Sequence, residues 1–159
     1  MIDTSIITMN STIPTAVLDQ WDKVIEETEI TAEKYRDQGW DVMVLHPGKV
    51  TSLVDDTALD VLIPGDEYLH IDDIAEECEF SECHVWGKDV EESRFRSIIL
   101  KDSTNQQVVC CPLYFTNSFT KAILPTFEKD PPLEIWVRPL LDETKIIFEI
   151  KSSINVIIL

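Results

Sequence analysis

Positive charge is scarce in this sequence. Thirteen lysines and arginines face thirty aspartates and glutamates, for a formal net charge of −17. The bases are scattered, with no local cluster. Such a surface repels phosphate backbones, so no nucleic-acid partner is expected. Long apolar runs are missing as well. No stretch of about eighteen apolar residues occurs, so no membrane span and no membrane partner are expected. The opening "MIDTSIITMNST" has no basic region and too short an apolar stretch for a secretion signal. These absences predict a cytoplasmic protein. Histidine is limited to His46, His70 and His84, and no G-x-S-x-G elbow is present, which leaves a histidine-based catalyst few choices. The four cysteines, Cys78, Cys83, Cys110 and Cys111, do not form a secreted framework and read as free thiols. Cys110 and Cys111 are adjacent, so on a strand they would face opposite ways.

What is present describes an ordinary globular core. A chain of 159 residues fits a single domain, 1–159. At this size about two thirds of the unfolded surface can be buried, without help from metal or disulfide. Residues 14–38 carry the clearest pattern. Leu18, Trp21, Ile25, Thr28, Ala32 and Tyr35 recur at steps of three and four, the stripe of an amphipathic helix about 37 Å long. Pro14 suits its first turn, Ser11 or Thr12 its N-cap, and Gly39 a left-handed end. "WDVMVL" (40–45) and "LDVLIP" (59–64) read as short apolar strands, with the loop "HPG" after the first. Asp66 is placed to cap a helix running to about Glu79, with Leu69, Ile74 and Ala75 on its buried side. "ECHVWGK" reads as a strand. Phe95–Lys101 and Val108–Tyr114 flank the turn-rich "DSTNQQ" as a hairpin. Residues 118–129 suggest a short helix interrupted at Pro125. "LEIWVR" (133–138) and "KIIFEIK" (145–151) alternate cleanly and make a second hairpin. The order predicts an α+β fold: a long N-terminal helix packed on a mostly antiparallel sheet, with short additional helices.

The tail "INVIIL" (154–159) is apolar in five positions of six. Leaving it in water would forgo about 1.5 kcal/mol or more for each large side chain. It is expected to dock as a last short strand on its own sheet, or on a second copy in a homodimer.

Three stretches raise chemical possibilities. "EECEFSECH" (76–84) places Cys78, Cys83 and His84 together as three possible zinc ligands. Tetrahedral zinc wants four, and C-x4-C-H has no matched pair downstream. The alternative is a helix end running into a strand, and that reading is preferred. "HPGKVTS" (46–52) has half of a phosphate loop but lacks its first glycine, and Val50 stands where a magnesium-binding hydroxyl belongs, so it reads as a loop. "EIK" (149–151) matches the E-x-K of metal-dependent nucleases, with Asp130 or Asp142 as the remote carboxylate. Residues i and i+2 on a strand do share a face, as that chemistry needs. Alternating charges on a solvent face explain the pair equally well.

"TAEKYRDQGWDVMVLHPGKVTSL" (31–53) resembles the early segment of an uncharacterised family of small acidic haloarchaeal proteins. There, a helix with a "TAEEYREEGW"-like end runs into a strand and an "HPGDV"-like turn. "DVLIPGDEY" (60–68) and "WVRPLLDE" (136–143) are similar to later family segments. The resemblance implies a habitat and a fold, and no activity or cofactor. The functional expectation is a non-enzymatic interaction or accessory domain, working through a protein partner or as a homodimer. The alternative is a metal-dependent hydrolase or nuclease using Glu149, Lys151 and Asp130.

Overall fold

A computed structural model of the protein describes residues 15–53, 58–90, 93–115, 133–140, 143–150 and 154–158. Its elements run α1 (Thr15–Asp37), β1 (Asp41–Val44), β2 (Lys49–Leu53), β3 (Ala58–Ile63), α2 (Gly65–Glu77), β4 (Glu82–Val90), β5 (Ser93–Asp102), β6 (Gln107–Phe115), β7 (Leu133–Pro139), β8 (Ile146–Ile150) and β9 (Ile154–Ile158). The fold is α+β, with two sheets where one was expected. The first sheet has the order β1-β6-β5-β4-β9 and the second β2-β3-β7-β8. Antiparallel pairings predominate: β2–β3, β4–β5, β5–β6 and β7–β8. The parallel ones are β1–β6, β3–β7 and β4–β9.

Helix α1 covers one face of the first sheet. Its buried stripe is Val17, Trp21, Val24, Thr28 and Ala32. The predicted stripe was slightly out of phase, since Leu18, Ile25 and Tyr35 are only half-buried flanks. Trp21 packs on Tyr114 with ring centroids 5.0 Å apart. The Thr28 hydroxyl donates to the Val24 carbonyl at 2.7 Å and lies 3.1 Å from the Ser97 hydroxyl, a polar tie between helix and β5. The helix ends as Gly39 predicted. Gly39 has φ +90°. The Trp40 N–H bonds the Tyr35 carbonyl and the Gly39 N–H the Arg36 carbonyl, the paired bonds of a Schellman end. Tyr35 and Trp40 then meet edge to face, and the Lys101 ammonium lies over both rings at 5.3 and 5.2 Å. Pro14, Ser11 and Thr12 lie outside the described residues, as does the expected helix at 118–129.

The main core lies between the two sheets. The first contributes Val85, Ile98, Leu100, Val109 and Leu113; the second contributes Leu59, Val61, Ile135, Val137 and Phe148. Strand β3 is buried on every residue, which explains why its sequence reads as an apolar run, and β5 is buried on nearly every residue although it carries Arg96, Ser97 and Asp102. Helix α2 closes part of this core with Tyr68 and Ile71. Leu69 was expected on that side and is exposed, because the buried residues step from 68 to 71 and then to the half-buried 74 and 75. Asp66 does not cap the helix. Pro64 occupies the N-cap without a side-chain bond, and Asp66 sits in the first turn, where its charge complements the helix dipole. Residues 46–52 were read as loop, yet from Lys49 onward they belong to β2, because the buried strand β3 supplies a backbone partner across five residue pairs.

Gly87 is required by close approach. Its cross-strand partner is Arg96, a side chain only 1% exposed. A Cβ at Gly87 would fall 2.6 Å from Arg96 Cδ, and closer still to the Phe95 carbonyl. The bare glycine lets the guanidinium lie along β4, donate to the Phe95 carbonyl at 2.8 Å and reach Asp89 at 2.9 Å.

Candidate functional site

β8 is the outer strand of the second sheet and, among the described residues, pairs only with β7. A strand bonded on one side leaves alternate N–H and C=O groups pointing outward on the other. Its side chains alternate as predicted. Phe148 and Ile150 face the core, while Ile147 (44% exposed) and Glu149 face solvent. Beside this strand lies a cleft of about 360 Å³. Residues 146–149 form one wall. Ala75 and Cys78 at the end of α2, with Glu79, Phe80 and Ser81 of the α2–β4 connection, form the other. Phe80 and Phe148 meet edge to face with centroids 5.4 Å apart. Among the described residues, the charged ones lining the cleft are Glu79 and Glu149.

The far wall is pinned by Asp102, at the end of β5. The residue as a whole is 3% exposed. Oδ2 accepts from the Glu79 N–H at 3.0 Å and from the Asn105 amide at 2.7 Å. Oδ1 accepts from the Thr104 and Asn105 N–H groups at 3.0 and 3.2 Å. Asn105 also donates to the Glu77 carbonyl at 3.2 Å, so the β5–β6 turn grips the last turn of α2. Burial opposes the charge on Asp102, and the bonds from Asn105, Glu79 and Thr104 outweigh it, holding the carboxyl below its ordinary range.

The "EECEFSECH" stretch folds as helix end, connection and strand. Cys78 is the half-buried C-cap of α2. Cys83 faces the main core, and His84 lies on the opposite face of β4. The three are therefore not gathered on one side, and among the described residues no three His, Cys, Asp or Glu side chains gather as a metal-binding group. Burial pushes the Cys78 thiol up, reinforced by the Asp102 and Glu77 carboxylates. Cys83 and Cys110 are pushed up to about 12 by burial, and Cys111 is also raised. Protonated thiols are poor nucleophiles and poor ligands. Cys110 faces α1 and Cys111 the main core, as adjacent strand residues must.

Of the E-x-K set, the structure places Glu149 at the cleft; Lys151, Asp130 and Asp142 lie outside the described residues. Glu149 stands opposite Glu134 across β7–β8. Glu134 accepts the Trp136 indole N–H at 2.8 Å, and the Lys145 ammonium lies 4.0 Å from the Trp136 ring. Further along this face the Arg138 guanidinium grips Asp60 in a two-point pair of 2.6 and 2.5 Å. His46 bonds Glu67 through its backbone N–H at 2.7 Å and through Nδ1 at 2.6 Å, which ties the "HPG" turn to α2. Sequence reasoning missed Asp102 and the Asp60–Arg138 pair. An Asp three residues before an Asn in a turn-rich loop is the signal that could have found the first. The second pair is set by parallel strands far apart in sequence and left no local signal.

Among known proteins, no curated protein and no solved structure matches this chain. A family model described as a family of unknown function matches residues 10–153, which takes in every element from α1 to β8 and stops short of β9. On that match the chain belongs to the DUF7529 family.

Proposed function

We propose that this chain is a non-enzymatic protein-interaction or accessory domain acting in the cytoplasm of a salt-adapted, archaeal cell. The cleft beside β8 carries this reading: it joins an apolar floor, two carboxylates and an outer strand edge in one concave surface. A concave surface that joins apolar side chains to a few polar groups is the default candidate for a binding site. The acidic excess supports the salt-adapted part, since carboxylates keep a protein soluble where salt screens ordinary repulsion. A photoreactive amino acid at Ile147 tests the interaction. It should trap one partner in cells, while the same group at Leu69, exposed on α2, should not. Identical products from both positions would overturn the reading.

One observation favours a second reading. Glu149 lies at a concave cleft, as the acid of a metal-dependent hydrolase or nuclease should. Its companions would be Lys151 and Asp130. Purified protein given manganese and single-stranded or duplex DNA would then cleave it, and Glu149→Gln would abolish cleavage. Cleavage that survives the substitution excludes this assignment.

A further inference from the structure

We propose that the first half of α1, residues 15–27, is a hinged lid on the first sheet: it opens as one unit at the Thr28–Ser97 contact and uncovers the Tyr114 hydroxyl, which has no hydrogen bond while the lid is closed. Tyr114 is 1% exposed. Among the described residues no group bonds its buried hydroxyl. Val17, Trp21 and Val24 of α1 pack over it, with Phe95 of β5 beside it. The Trp21 and Phe95 rings stand 5.0 and 5.7 Å from its own, centroid to centroid. Three of these four side chains have no polar atom, and the Trp21 indole N–H does not bond the hydroxyl. A buried hydroxyl without a bond costs stability, and water supplies the bond once the site opens. The closed lid is thus held less firmly than an all-apolar contact of the same shape.

The helix is held in two parts. Its second half packs through Ala32 on Ile99, Val108 and Cys110, a core cluster separate from the one around Tyr114. That half is also fixed at its end, by the Schellman bonds of Gly39 and Trp40 and by the Lys101 ammonium over the Tyr35 and Trp40 rings. Between the halves stands the buried polar pair of Thr28 and Ser97, 3.1 Å apart. Segments held by separate contact clusters open separately, and the less anchored one opens first. The helix backbone is prepared to bend at the same place. Thr28 donates its hydroxyl back to the Val24 carbonyl at 2.7 Å, and Thr31 to the Glu27 carbonyl at 3.0 Å. Such bonds to the residue four earlier weaken a helix slightly and favour a bend. Opening at this point bares Phe95 and Tyr114, flanked by the half-buried Trp86, as an aromatic shelf with one hydroxyl. Any binder of that shelf would meet only the open fraction of the chains.

Amide hydrogen exchange of the full chain, resolved by residue and repeated over urea concentrations below the unfolding transition, tests the lid. Amides of residues 19–27 should share one opening. Their protection should lie at least about tenfold below that of residues 29–36, with a weaker urea dependence than global unfolding shows. Tyr114→Phe removes one oxygen and keeps the ring packing. It should raise the protection of residues 19–27 together, by about tenfold, because opening then frees no unbonded hydroxyl. Protection that falls on this substitution would show that the hydroxyl is bonded in the closed state and overturn the proposal. Protection that does not change would reduce the opening to fraying that leaves Tyr114 covered, and the lid falls with it. Equal protection on both sides of Thr28, with the urea dependence of global unfolding, would mean that α1 leaves the sheet only when the whole domain unfolds. That result also excludes a lid.

Discussion

Four hydrogen bonds converge on the Asp102 carboxylate, from the backbone of Glu79, Thr104 and Asn105 and from the Asn105 amide. A buried acceptor with this many donors is stabilised in its charged form, and its lowered pKa says so. The sign follows directly. The group binds its proton more weakly in the folded chain than in the unfolded one. Its contribution is thus full at neutral pH and is lost as pH falls below about 4, the ordinary carboxylate range, through the lower folded value. Asp102→Asn keeps the shape but turns a donor toward donors. It should cost about 1–3 kcal/mol at pH 7, and the gap to the natural chain should narrow near pH 3. Urea unfolding at both pH values measures this; a gap of equal size would show that charge is not what Asp102 contributes. At this scale the sequence was partly legible. Gly39 announced its left-handed end, because a residue there has one conformational use. Arg96 announced nothing: its burial depends on Gly87 across the strand, and the pairing of β4 with β5 must be known before the glycine means anything.

Elements were legible where pattern and neighbour agreed. The β5–β6 and β7–β8 hairpins follow from alternation plus a short turn, so local sequence contains both partners. The parallel pairs β1–β6 and β3–β7 join strands far apart in sequence, and no local pattern states such a choice. β9 falls between these cases. Its apolar sequence predicted a docked strand, and its backbone pairs with β4 from Cys83↔Ile154 to Gly87↔Ile158. That it leaves the second sheet to join the first could not be read. Deleting residues 154–159 uncovers the outer edge of β4, including the strand segment that holds Gly87 against Arg96. Each backbone bond lost costs about 1 kcal/mol, so the shortened chain should melt at lower temperature by several degrees. It should also self-associate, since an uncovered edge offers pairing. Unchanged melting and unchanged mass by sedimentation would show that β9 contributes nothing to the sheet.

For the whole molecule, layers and charge are separate questions, and only charge was plain in the sequence. A strand buried on both faces reads as an apolar run whether helix or sheet covers it. The second sheet was therefore hidden behind the expectation of one. Charge needs no fold to be counted. If every base were paired, as Arg138 is with Asp60 and Arg96 with Asp89, seventeen negative charges would still lack a counterpart. Folding draws these carboxylates together, and their repulsion weakens as the Debye length falls from about 10 Å in 0.1 M salt to about 3 Å in 1 M. The folded state should therefore gain stability steadily as KCl rises from about 0.1 to 2 M. Salt also strengthens apolar burial in general, so the melting series needs a control that removes charge alone. Near pH 4 many carboxylates are protonated and the repulsion is reduced at its source. The rise in melting temperature with salt should accordingly be much smaller at about pH 4 than at pH 7. A rise of equal size at both pH values would assign it to burial and leave the acidic surface without a role in salt adaptation. No rise at pH 7 would remove the salt-adapted reading altogether.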